Sequence, residues 1–201
     1  MPVKIYDEYD FGLSWVMDEP LERASHALVA DDRVWLIDPV DDPEAIERAT
    51  ALGEPAAVLQ LLDRHNRDCA ALAERLGVLH VKVPDVVPGS PFEAIPVVRF
   101  PLWHETALWW QEQRALIVAE VVGSAPPYTG GRRPVGVHIF LRAFPPGGLR
   151  GYVPGHLLMG HGGGLHGERA ASALDEAFEH ARGDLPEVLK GLAGQIRGRP
   201  A

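Results

Sequence analysis

Side chains able to ligate a metal or carry protons concentrate in three stretches of this sequence. The first is the polar run from Asp63 to Asp68, which holds Arg64, His65, Asn66 and Arg67 and is closed by Cys69. The second is His104, flanked by Trp103, Trp109 and Trp110. The third is His161 in a Gly-rich segment, bracketed by His156 and His166. His, Asp and Cys are the types that hold zinc, and His and carboxylates move protons at neutral pH. Each also has a plain structural role: Cys69 as a small core residue opening an apolar helix, Asp68 as that helix's cap, His161 as the anchor of a glycine turn. Alternation along a strand packs at least one of Trp109 and Trp110 on a sheet face, while Trp103 is a candidate to line a ligand cleft.

The elements that must position these residues follow from pattern. Ala27–Ala30 and Val34–Asp38 are short β-rich runs across the turn signal Asp31-Asp32-Arg33, which predicts a hairpin. Pro43, with Asp41 or Asp42 as cap, predicts a helix that stops at Gly53. Ala56–Leu62 is a buried strand, the Cys69–Gly77 segment has helical apolar spacing, and Leu79–Val83 is another strand. Strand-like runs then follow one another at Val97–Phe100, Ala107–Trp110 and Ala115–Val122, so the sheet is mixed rather than purely parallel. Ser124–Gly136 and Ala143–Gly155 are Pro/Gly-rich loops around Val137–Leu141, and Arg169–His180 is helical.

Composition narrows the classes of function. A chain of 201 residues suits a single domain, here residues 1–201. Its 19 Lys and Arg against 28 Asp and Glu give a net charge of −9, which repels nucleic-acid backbones and anionic lipid. The one short basic patch, Arg132-Arg133, reads as a solvated loop tip. Acids occupy the N-terminus where a signal peptide needs an apolar core, and no apolar run approaches the length of a membrane span. The single cysteine, Cys69, excludes an intrachain disulfide and fits a reducing, cytoplasmic setting.

Leu61-Leu62-Asp63-Arg64-His65-Asn66-Arg67-Asp68-Cys69 resembles, without a gap, the L-L-T-H-x-H-x-D-H signature of the metallo-β-lactamase superfamily. Four further matches come in the family's order. VWLIDPVD resembles the strand ending in I-D-x-G, PLWHETALWW the segment with a metal-binding histidine, ALIVAEVVG the strand that normally ends in G-D, and LLMGHGGGLHGE the closing G-H-G motif. The resemblance spans about residues 27–180. It implies an α/β (α+β) fold, the metallo-β-lactamase-like αββα four-layer sandwich with two mixed β-sheets, and a cleft where Asp68, His104, Glu120 and His161 converge.

The family's chemistry needs water activated by one or two metal ions. By the resemblance, Arg64 and Asn66 stand where the first metal's two leading histidines belong, so these ligand positions are degenerate and only His104 remains of that site. A guanidinium there is a permanent cation. The second site keeps Asp68 and His161, with Cys69 in place of a histidine and Glu120 in place of a bridging aspartate. His65, one residue out of register, is assigned to the surface or the helix entry. Two readings follow. One is a protein of this fold with its first metal site lost, without metal, with little or no hydrolase activity and a small-molecule ligand in the cleft. The other is a single-zinc hydrolase of esters, thioesters or lactams, with zinc on Asp68, Cys69 and His161 and with Asp68, His104 and Glu120 as catalytic residues. In either reading Arg64 or Arg67 is expected to pair with Asp68 or Glu120 and replace a metal's charge.

Overall fold

The computed structural model describes residues 2–65 and 67–189. Six strands, β1 (Val3–Tyr9), β2 (Gly12–Met17), β3 (Ala24–Ala30), β4 (Arg33–Ile37), β5 (Glu54–Gln60) and β6 (Leu79–Lys82), form one sheet in that order. The first four run antiparallel to their neighbours, whereas β4, β5 and β6 are parallel. The second sheet also mixes directions. Its order is β13 (Leu165–His166), β12 (His156–Met159), β9 (Ala115–Val118), β8 (Trp103–Trp110), β7 (Glu93–Phe100), with the β12–β9 pair parallel. A short ribbon joins β10 (Val122–Gly123) to β11 (Gly136–Val137). The helices are α1 (Pro43–Ala51), α2 (Cys69–Leu76), α3 (Pro126–Thr129) and α4 (Glu168–His180).

Period-two alternation sends each strand's side chains to two apolar layers. Leu28, Trp35, Ile37 and Leu59 face Leu108, Leu116 and Leu157 of the other sheet. Their neighbours Ala27, Val34, Leu36 and Val58 pack with Ala45, Ile46, Ala49, Leu72 and Ala73 of α1 and α2. Ala170, Leu174 and Phe178 of α4 join the inter-sheet core from the far side. The result is the expected sandwich of helices, sheet, sheet and helix. No helix of the described residues is long and apolar enough to cross a membrane.

Local chemistry accounts for the element ends. The β3–β4 hairpin turns on Asp31 and Asp32, both at positive φ (49° and 58°), as a two-residue loop with matching twist requires. The Asp42 carboxylate caps α1 by accepting the Ala45 N–H at 3.1 Å, and Pro43 fills its first turn. Gly77 ends α2 in the left-handed region at φ 68°.

Two strands of the first sheet, β1 and β2, lie outside the elements expected from sequence. The run expected as one strand over Ala115–Val122 is broken instead between Val118 and Val122. The cause is the fully buried Glu105, whose Oε1 accepts the N–H groups of Ala119, Glu120 and Val121 at 3.1, 2.8 and 3.0 Å. Those donors leave the ladder, and the chain turns.

Candidate functional site

After β5 the chain does not continue as a strand. The Leu61 N–H donates to the Asp38 carboxylate at 3.1 Å, the His65 N–H to the Leu62 carbonyl at 3.1 Å, and Arg67 sits at φ 25°. This turn points the side chain of His65 inward, where it is 8% exposed. Of the surface or helix-entry role expected for His65, the surface placement is therefore corrected: the alternation argument holds only for extended backbone.

Glu120 and His161 meet His65 because their strands are parallel neighbours. The β9–β12 register pairs Val118 with Met159, so the chains leave the sheet side by side and carry Glu120 and His161 out together. Gly160 and Gly162 make this exit possible. A Cβ on Gly160 would meet the Ala119 carbonyl oxygen at 2.3 Å, and one on Gly162 the Ser124 Oγ at 2.2 Å.

His65 Nε2 lies 3.4 Å from His161 Nε2, and Glu120 Oε1 lies 3.8 and 3.9 Å from the two nitrogens. Among the described residues these are the three His, Cys, Asp or Glu side chains whose donor atoms gather within 4.8 Å of one another. The other nitrogen of each histidine is engaged elsewhere. His65 Nδ1 faces Asp38 Oδ2 at 3.3 Å, and His161 Nδ1 donates to the Leu21 carbonyl at 2.9 Å. Both imidazoles therefore turn Nε2 toward the same point. Glu120 Oε2 is held by Arg64 through Nε at 3.1 Å and Nη2 at 2.5 Å, leaving Oε1 to face the histidines. The Arg64 guanidinium lies over Trp103, 3.8 Å from the ring centroid.

Among the three donors, the surrounding charges favour a proton on His65. Burial and Arg67 oppose a charge on His65, yet Asp38 and hydrogen bonds to Asp38 and Glu120 outweigh them and raise its pKa. Burial, with Arg67 and His65 beside it, pushes His161 down to about 4. Burial works against the Glu120 carboxylate, but His65 and Arg64 hold it at about 2. Arg67 reaches into the interior and donates to the carbonyls of Ala24, Asp38 and Gly160 at 2.5, 2.7 and 2.8 Å, tying both sheets together beside the site.

Of the residues singled out by sequence, the structure brings together Arg64, Glu120 and His161. Asp68 turns away: it stands at the N-cap of α2 but its side chain makes no capping bond, and its carboxylate accepts the Asp41 N–H at 2.8 Å. Cys69 is fully buried among Trp15, Leu36 and Leu72, and burial pushes its thiol up to about 12. His104 is exposed and paired with Asp63 at 3.0 Å. Asn66 lies outside the described residues. Asp38, His65 and Arg67 are the contributors that motif register passed over, although the Asp of VWLIDPVD already marked Asp38's position.

An apolar cavity of about 230 Å³ opens off the cluster, with Glu120 and His161 in its wall. Tyr128 stacks on His161 with ring centroids 5.4 Å apart, and His138 meets Trp103 edge-on at 4.9 Å.

No family model matches the sequence, and no curated protein matches it. Solved structures do match. The DIM-1 metallo-β-lactamase is 12% identical, with 90% of this chain and 97% of that one covered and a TM-score of 0.58. The chemotaxis sensor ODP, solved as a peroxy diiron species, is 13% identical over 91% of this chain and 95% of that one, with a TM-score of 0.58. The mono-zinc form of FIM-1 from Pseudomonas aeruginosa is 10% identical over 90% of this chain and 97% of that one, with a TM-score of 0.54. This chain thus has the metallo-β-lactamase fold, with a sequence far diverged from those neighbours.

Proposed function

We propose that this chain is a single-metal hydrolase that holds one zinc ion on His65, Glu120 and His161. The observation that carries the reading is the convergence of three donor atoms at metal-binding distance. From separations of 3.4, 3.8 and 3.9 Å, the nearest point equidistant from the three atoms lies in their plane about 2.1 Å from each, the bond length of zinc to imidazole nitrogen and carboxylate oxygen, and a slight closing of the donors would give a tetrahedral ion. Two histidines and a glutamate are also a ligand set of catalytic zinc, with room left for water. A zinc ion there would supply water activated near neutral pH and polarise a carbonyl.

The chain's own residues support that chemistry. Asp38 and the Leu21 carbonyl fix the tautomers of His65 and His161, an arrangement found around most metal-bound histidines. Arg64 orients Glu120 by its other oxygen. Burial keeps Tyr128 protonated, so its hydroxyl is a donor beside the cavity. The substrates that suit this equipment are esters, thioesters or lactams.

A second reading, a metal-free cleft that binds a small molecule, has one observation in its favour: Arg64 and Arg67 already set two fixed positive charges against Asp38 and Glu120. Elemental analysis separates the two readings. Protein purified without chelator carries one equivalent of zinc in the parent and in Cys69→Ala, and none in His65→Ala or His161→Ala, with ester hydrolysis following the metal. No zinc in the parent, even after incubation with excess, overturns the hydrolase and leaves the metal-free cleft. Loss of zinc in Cys69→Ala and His161→Ala, with zinc kept in His65→Ala, would return the site to Asp68, Cys69 and His161.

A further inference from the structure

The cavity beside the three-donor cluster has a chemical direction. Its polar lining is Glu120 and His161 of the cluster, with Tyr128 stacked on His161 and with His138. The rest of the wall is Leu21, Pro127 and Ile139, and no Lys or Arg lines it. Beyond the mouth the surface stays apolar. Leu21 is 52% exposed, and Phe140, which follows Ile139, is 81% exposed with its ring 5.4 Å from that of His138. Exposed phenylalanine at the mouth of an apolar pocket marks a surface that a ligand covers.

We propose that this cavity takes the hydrocarbon chain of an acyl ester or thioester, with the acyl carbonyl at the cluster and the chain running past Leu21 and Ile139 toward Phe140. The proposal rests on the hydrolase reading for its reaction and on the cavity alone for its ligand class. In the reaction, water adds its oxygen to the acyl carbon, the carbon–oxygen or carbon–sulfur bond breaks, and the leaving alcohol or thiol takes up a proton from water. The products are the carboxylic acid and the alcohol or thiol, with no oxidant or reductant. A substrate with a second carboxylate or a phosphate in its acyl part is disfavoured, because the wall offers it no cation. The volume of about 230 Å³ falls below that of sites for drug-sized ligands, so a short chain fills it and a longer one continues over the rim.

The straight-chain carboxylates from acetate to decanoate serve as product mimics, and their binding is measured by calorimetry on zinc-loaded and on chelator-treated protein. Affinity is expected to rise about threefold to fourfold per methylene while the cavity fills, then to level off. Leu21→Asp and Ile139→Asp place a charge at half-buried or exposed positions that the fold tolerates, and should flatten the series. Leu79→Ser, on the exposed edge of β6, should leave it unchanged. A flat series in the parent, or an unaltered slope in both Asp variants, overturns the proposal. A slope that persists in protein unable to bind zinc keeps the ligand class and removes the hydrolase reading. Zinc binding and ester cleavage without chain-length preference do the reverse.

Discussion

If Asp38 sets the tautomer of His65, replacing it by its isosteric amide should weaken the metal site in a protein that still folds, at lower stability because the carboxylate also offsets the buried Arg67. The Asp38 carboxylate is 2% exposed and has two tasks. Oδ1 accepts the Leu61 N–H at 3.1 Å, and Oδ2 faces His65 Nδ1 at 3.3 Å, which places the imidazole proton on Nδ1 and the lone pair on Nε2. In Asp38→Asn the amide oxygen must stay on the Leu61 N–H, because an NH2 there would set donor against donor. The amide NH2 then faces His65 Nδ1 and moves the ring proton to Nε2, the atom that faces His161 and Glu120. Loss of such a partner typically costs tenfold to a hundredfold in metal affinity, which is about 1.4–2.7 kcal/mol. Zinc competition against a chromophoric chelator at pH 7 reads this directly, and thermal unfolding of the metal-free proteins checks the fold. Asp68→Asn is the matched control: its carboxylate serves the Asp41 N–H, so affinity should change less than about threefold. An Asp38→Asn variant within threefold of the parent would refute the reasoning, as would an equal loss in Asp68→Asn.

Arg64→Met, measured without metal, should lower stability at pH 7 by about 1 kcal/mol, because the pair with Glu120 is partly exposed. Since Glu120 titrates at about 2 in the fold, below its unfolded value, the difference is full above pH 4.5 and should fade as pH drops toward 2; equal denaturation midpoints at pH 7 would count against it. The Cys69 thiol, pushed up to about 12 by burial, should resist a disulfide reagent at pH 8 in the native protein and give one equivalent after denaturation. His26, which burial and then Arg67 push down to about 3, is neutral in the fold and protonated below 6.5 when unfolded. Its contribution is therefore intact above pH 6.5 and lost as pH falls, at up to about 1.4 kcal/mol per pH unit. His26→Gln should shallow the stability profile between pH 6.5 and 4.5, and an unchanged slope there would exclude His26 as a cause.

The fold was legible where burial of one face writes a period into the sequence; β2, buried at every position, carries no such period and was missed. Val34 to Ile37 alternate between the two apolar layers, and α1 carries its proline, cap and apolar stripe in a row. β1 was missed for a physical reason. It is an edge strand whose charged residues Lys4, Asp7 and Glu8 blur the apolar alternation, and edge strands carry such charges to block further pairing. The break after Val118 was equally hidden. It depends on a carboxylate at Glu105, fourteen residues before the segment it bends, and nothing local in the apolar run reports that contact.

The site divided along the same line. Glu120 and His161 were recoverable because their positions follow from strand register: two parallel strands that pair Val118 with Met159 must bring the residues just beyond their ends to one place, whatever those residues are. His65 was not recoverable, because its orientation is set by a turn, and register carries no information through a turn whose residues have changed. Arg67 belongs to the same rearrangement. At φ 25° its guanidinium reaches the carbonyls of Ala24, Asp38 and Gly160, and its charge presses on His65 and His161. Asp38 is the counterweight, since its carboxylate offsets Arg67 and also holds the ring of His65 in place. A loop without histidine at positions 64 and 66 can thus present His65, between them, to the cleft, provided a buried acid lies behind it.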